Sequence, residues 1–162
     1  MADSSFDVVS DFDQQELVNA LDQVRREVGT RFDFKGARIS LELGKDEIVL
    51  LADDEFRAAS VKDLVQTKAV RRGLSLKIFD WGKLEPAAGG TVRQRIGLHR
   101  GLTSEQAKEI SKTVRDRFPK VKPVIQGDAV RVSGKSKDDL QGVIGHLREL
   151  DYAVALQFTN YR

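Results

Sequence analysis

The chain runs through one order of elements twice, and this repeat limits its architecture more than any single motif. Phe6–Ser10 is a short strand candidate, followed by a helix in which Leu17, Leu21, Val24 and Val28 recur on one face, with Asp13 and Glu16 at capping-box spacing. Ala37–Leu43 alternates, Gly44-Lys45-Asp46 supplies a turn, and Glu47–Ala52 reads as the partner strand of a hairpin. Asp53 or Asp54 opens a second helix, Gly73 closes it behind Arg71 and Arg72, and Leu74, Leu76 and Ile78 alternate as a last strand.

The second half restates this plan. Val92, Gln94, Ile96 and Leu98 share one strand face, and Arg93, Arg95 and His99 share the other. Thr103 and Gln106 have capping-box spacing ahead of Ala107, Ile110, Val114 and Phe118. Gly127-Asp128 turns Val121–Gln126 into Ala129–Ser133. Ser136 and Asp139 start a helix with the stripe Leu140, Val143, Ile144, Leu147 and Leu150, and Val154, Leu156 and Phe158 finish as a strand. Gly142 and Gly145 weaken that helix by about 1 kcal/mol each relative to alanine, which suggests close backbone packing there. Each half therefore reads β-α-β-β-α-β, the split arrangement of a ferredoxin-like sandwich. The expected class is α+β with two tandem domains, residues 1–85 and 86–162, separated by the Gly/Pro-bearing stretch Gly82–Gly90.

Composition narrows the chemistry. With no cysteine, disulfides, thiolate metal sites and cysteine nucleophiles are all excluded. No apolar run approaches the roughly 20 residues of a membrane helix, and MADSSFDVV lacks a basic segment followed by an apolar one, so a cytoplasmic location is expected. The net charge of +2 hides an asymmetry. Residues 1–85 hold 13 Lys and Arg against 17 Asp and Glu; residues 86–162 hold 14 against 8. A basic second half suits phosphate-bearing partners, although scattered solvated charge gives the same count.

The stretch GTRFDFKGARISLEL breaks phase: Phe32 and Phe34 sit at even positions, Ile39, Leu41 and Leu43 at odd ones. A continuous strand would turn the two phenylalanines to the sheet face away from the helices. A bulge or turn at Gly36 would pack them against the preceding helix instead. Burial is the usual fate of large apolar side chains. Arg31, Asp33 and Lys35 interleave the two rings with charge, which keeps a ligand platform as the alternative.

Several segments taken together resemble the YajQ family of bacterial nucleotide-binding proteins: SFDVVS at 5–10, TRFDFKG at 30–36, RRG at 71–73, PAAGGTVRQ at 86–94, IQGDAVRVSGKSKDDLQ at 125–141 and LQFTNYR at 156–162. The resemblance covers the chain in order. It implies a cytoplasmic bacterial protein with tandem domains like RNA-recognition modules, and binding of cyclic di-GMP, GTP or transfer RNA. It also implies opening strands exchanged between the sheets, with 5–10 in the second and 91–99 in the first. Ala88 departs from the serine commoner in PASGG. The resemblance supplies no catalytic residue.

The residues themselves favour a small phosphorylated ligand over a long RNA. Gly89 and Gly90 offer backbone conformations that aim N–H groups at an anion, or serve only as a linker. Arg93 and Arg95 flank Gln94 at strand spacing, so both guanidiniums share a face and each can hold a phosphate or a guanine edge. Arg100 lies just before the helix that starts near Thr103. The candidate nucleotide contacts are thus Arg31, Phe32, Phe34, Lys35, Gly89, Gly90, Arg93, Gln94, Arg95 and Arg100. Glu47–Ala52 and Ala129–Ser133 contain no aromatic residue, so the base-stacking surface of RNA-recognition modules is not expected, and RNA is the runner-up ligand. Lys68, Arg71, Arg72 and Lys77 form another basic group, explained mainly as a helix end. His99 and His146 have no metal-ligand spacing and no phosphate-binding loop of the Gly-x-x-x-x-Gly-Lys type occurs. The expectation is a protein without catalysis or cofactor, acting through a protein partner such as a transcription regulator. Acyl-phosphate hydrolysis with Arg100 holding phosphate is the enzymatic alternative, on fold analogy.

Overall fold

A computed structural model describes residues 3–162. Its strands are β1 Ser4–Val9, β2 Ser40–Leu43, β3 Glu47–Ala52, β4 Phe79–Pro86, β5 Val92–Leu98, β6 Lys122–Gln126, β7 Ala129–Gly134 and β8 Gln157–Thr159. Its helices are α1 Gln14–Thr30, α2 Glu55–Arg71, α3 Ser104–Arg117 and α4 Lys137–Glu149. The chain divides into two compact units, one of residues 12–99 and one of 1–11 with 100–162. The repeat read along the sequence divides at 85/86; in space the division follows the sheets instead. One sheet has the order β2-β3-β5-β4 and the other β6-β7-β1-β8, all pairs antiparallel. Each is a ferredoxin-like sheet whose opening strand comes from the other half of the sequence: β5 stands between β3 and β4, and β1 between β7 and β8.

Local chemistry starts the helices where the caps indicate. Asp13 accepts from the Gln15 and Glu16 amides, Asp54 from Arg57, and Ser136 from Asp139, while Thr103 and Gln106 form a reciprocal capping box. Gly73, at φ 80°, ends α2, and Leu74 N–H reaches back to the Ala69 carbonyl. In the unit of residues 12–99, Leu17, Leu21 and Val24 of α1 and Val61 and Val65 of α2 pack on Ile48, Leu50 and Ile96 of the sheet. In the other, Ile110 and Val114 of α3 and Val143, Ile144 and Leu147 of α4 cover Phe6, Val8, Val130 and Val132.

Three local readings are corrected. Leu74–Ile78 is not a strand: Ser75 Oγ accepts from the Lys77 amide, a single 3-10 turn covers Leu76–Ile78, and β4 begins at Phe79. Gly82–Gly90 is not a linker: residues to Pro86 belong to β4, and Ala88–Gly90 is the tip of the β4-β5 hairpin. The last strand is confined to Gln157–Thr159, with Val154 buried ahead of it.

The phase break at Phe32 and Phe34 is a 3-10 turn, Phe32–Phe34, closed by Lys35 N–H donating to the Phe32 carbonyl; in the turn that follows, with Gly36 at φ 74°, Ala37 N–H donates to the Phe34 carbonyl. The two rings part company there. Phe34 is 3% exposed and joins the core, whereas Phe32 is 88% exposed.

Candidate functional site

The unit of residues 12–99 gathers most of the candidate residues at one end, where β3 leaves the sheet. Ala52 closes β3 opposite Val92, so Asp53 and Asp54 lie beside the start of β5. Asp54 caps α2, leaving Asp53 for another partner. Arg38 takes it: its backbone N–H and Nε donate to the two Asp53 oxygens at 2.8 and 2.9 Å. These bonds, the backbone one first, hold the Asp53 carboxyl below the usual carboxylate range. Arg38 Nη2 also donates to the Gly89 carbonyl at 3.2 Å, tying the β4-β5 hairpin tip to the loop that follows α1.

That tip is a tight turn. Gly89 and Gly90 have φ of 70° and 77°, which glycine adopts without steric cost. Ala87 N–H donates to the Thr91 carbonyl at 2.8 Å, and Thr91 Oγ1 donates to the Ala88 carbonyl at 2.7 Å.

Beside it, Arg31 grips Asp33 through Nε and Nη2 at 3.0 and 2.8 Å and reaches Glu27 at 3.5 Å. Hydrogen bonding to Asp33 raises the pKa of its guanidinium further. The Arg31 and Arg57 guanidiniums lie 5.2 and 6.0 Å from the centre of the Phe34 ring. Phe34 is thus the packed base of this loop, and exposed Phe32 and Lys35 are its outward side chains.

The remaining candidates of this unit lie on β5. Along β5, Gln94 and Ile96 are buried, and Arg93 and Arg95 take the opposite face. Arg93 stands in register between Leu51 and Glu85, and Arg95 beside Val49. The two arginines therefore border an apolar strip, with Arg95 Nη1 donating to Glu47 at 2.7 Å. Gln94 does not share that face. Its Nε2 donates to the Gly82 carbonyl at 2.8 Å, spanning the register shift between Trp81 and Leu84. A side chain at Gly82 would meet the Arg95 carbonyl at 2.6 Å, so the shift requires glycine.

Arg100 belongs to the other unit, where its Nη1 donates to Asp11 at 2.8 Å. Phe158 and Tyr161 lie 6.0 and 5.9 Å from Phe6, ring centre to ring centre. In the second basic group, Lys68 pairs with Glu27 and Arg72 with Glu16. Among the described residues no group of three His, Asp or Glu side chains converges as a metal site, and no helix is long and apolar enough to cross a membrane. The sequence reading missed Arg38 and Asp53. Their signal was the Asp53-Asp54 doublet: one aspartate suffices as a cap, so the other is available for a second role.

The family model for YajQ-like nucleotide-binding proteins matches residues 4–162. The chain belongs to the YajQ-like family. A protein of Chloroflexus aggregans called nucleotide-binding protein is 60% identical over 162 residues, covering 99% of this chain and 98% of its own. A Synechococcus elongatus protein of the same description is 59% identical over 159 residues, covering 98% of each chain. One from Nostoc sp. is 56% identical over 158 residues, covering 98% of this chain and 97% of its own. The YajQ-like match thus takes in both compact units, including the Arg38–Gly89 tie and the Arg93/Arg95 face.

Proposed function

We propose that this chain binds a nucleotide, cyclic di-GMP ahead of GTP, and works without catalysis as an effector that passes the bound state to a protein partner. Family membership supports nucleotide binding, and one observation supports its place. Arg93 and Arg95 share the sheet face beside Val49 and Leu51, and the loop after α1 in the same unit carries exposed Phe32 and Lys35. Such a surface meets a cyclic dinucleotide with an apolar floor, two guanidiniums for phosphates or guanine edges, and an aromatic ring for stacking. Phe34 and Gln94 act from beneath it: one packs the loop, the other braces β4.

RNA has less support. The outward residues of the central strands are Glu47, Val49, Leu51, Arg93, Arg95 and Gly97 in one sheet and Ser5, Asp7, Val9, Ala129, Arg131 and Ser133 in the other, none of them aromatic. Acyl-phosphate hydrolysis with Arg100 holding phosphate is supported by fold analogy alone. Calorimetry against cyclic di-GMP, GTP and a short single-stranded RNA tests the reading. Low-micromolar binding of cyclic di-GMP, lost in Arg93→Gln/Arg95→Gln, is the expected result. Binding of RNA with no nucleotide bound would reverse the order of ligands, and normal binding by the double variant would remove this face from the site.

A further inference from the structure

Several arginines are paired, Arg25, Arg31, Arg38, Arg72, Arg95, Arg100 and Arg131 each meeting a carboxylate. One group of unpaired cations shares a single groove. In the unit of residues 1–11 and 100–162, a cavity of about 580 Å³ is walled by Lys120, Lys122 and Lys135, with Ser133 and Ser136 between them. An adjoining cavity of about 240 Å³ shares Lys120 and adds Arg117 and Phe118. All four cations are exposed, and none forms an ion pair among the described residues. They come from three separate segments: the end of α3 with the loop after it, β6, and the β7-α4 connection.

We propose that this groove is a second anion site, one that seats a short linear oligophosphate. Two carboxylates, Asp3 and Asp139, line the larger cavity against its three lysines, so its charge remains positive. With Arg117 the cations extend through both cavities, a spread that matches several phosphates in a row rather than one. Lysine ammoniums bind phosphate as mobile point charges, without the bidentate geometry of arginine. The mouth also receives the N-terminal end of α4, a helix of 13 residues. Ser136 Oγ accepts from the Asp139 amide, and its hydroxyl proton has no acceptor among the described residues. No aromatic side chain lines the larger cavity, so the chemistry recognised there is the phosphate chain, free or carried on a nucleoside, and not a base. The volume lies within the range of small-ligand pockets, roughly 300–1,000 Å³. The proposal is independent of the nucleotide face on the other unit.

Calorimetry of the full chain with inorganic tripolyphosphate tests it, comparing Lys122→Gln/Lys135→Gln with Lys45→Gln in the β2-β3 turn. The expected result is saturable binding that weakens as salt is raised, and by about tenfold in the double variant, with Lys45→Gln unchanged. Thermal melts of all three should coincide, because these lysines are exposed. A nucleoside triphosphate that competes with tripolyphosphate supports the site and names a second source of the same phosphate chain. No binding, or equal weakening in Lys45→Gln, overturns it as diffuse charge. Displacement of tripolyphosphate by cyclic di-GMP overturns it as a separate site. An oligonucleotide that binds tightly and resists tripolyphosphate overturns it in favour of a nucleic-acid surface.

Discussion

Arg131 grips Asp7 across the β1-β7 pair, with Nε and Nη2 at 2.9 and 3.4 Å from the two carboxylate oxygens. Asn160 Nδ2 donates to the same carboxylate at 2.9 Å, and Asp7 is only 7% exposed. Hydrogen bonding from Arg131 is the largest cause that holds the Asp7 carboxyl below its ordinary 3.8, against a burial effect that raises it. A carboxyl depressed in the fold stabilises fully above the pKa it has when unfolded, and that stabilisation disappears as pH falls through the folded value. Asp7→Asn should therefore lower stability at neutral pH by on the order of 1–3 kcal/mol. Denaturant melts at pH 7 and at about pH 3 check it: the gap between wild type and variant should narrow in acid.

The turn Phe32–Phe34 separates a stability role from a surface role within three residues. Phe34→Ala removes a ring from the core and should cost about 3–5 kcal/mol. Phe32→Ala, at a position 88% exposed, should leave the melting temperature nearly unchanged. If Phe32 stacks on the ligand, its truncation weakens cyclic di-GMP binding in calorimetry while the fold is intact. Equal binding by Phe32→Ala and wild type would take the ring out of the site.

Much of this arrangement is legible in sequence because it is periodic. The stripe of Leu140, Val143, Ile144 and Leu147 and the alternation of Val92, Gln94, Ile96 and Leu98 state which side faces the core, and buried Gln94 obeys that phase despite its polarity. Periodicity is silent where structure is set by single hydrogen bonds. The turn at Leu76–Ile78 depends on Ser75 Oγ, and the hairpin at Ala88–Gly90 on the Ala87–Thr91 bond, so a strand and a linker were the natural readings. Alternation also says nothing about which sheet a strand joins, since β1 and β5 carry the same pattern wherever they pair. At the candidate site, Arg93 and Arg95 are readable from spacing. Arg38 is not, because its partners Asp53 and Gly89 are 15 and 51 residues away.

The two glycines of α4 differ in a way that only packing reveals. A side chain at Gly142 would meet the Phe118 ring at 3.0 Å, whereas Gly145 has open space around it. Gly145→Ala should therefore stabilise by about 1 kcal/mol through helix propensity alone. At Gly142→Ala the same gain is offset by displacement of Phe118, whose ring also packs edge-on against His146. Thermal melts should rank Gly145→Ala above wild type and Gly142→Ala at or below it.

Gly89 and Gly90 allow the tie between the hairpin tip and Arg38 to be tested separately from the backbone. Both have left-handed φ, so alanine at either position strains the turn by about 1–2 kcal/mol. Only at Gly89 does the added carbon meet a neighbour, Arg38 Nη1 at 3.2 Å; at Gly90 nothing lies within 4 Å. Gly89→Ala and Gly90→Ala should thus melt at similar temperatures, while Gly89→Ala alone moves the Arg38 guanidinium off the tip. If the tip and its arginine shape the nucleotide site, Gly89→Ala weakens cyclic di-GMP binding severalfold more than Gly90→Ala in calorimetry. Matched affinities would mean that the tip serves only to join β4 to β5.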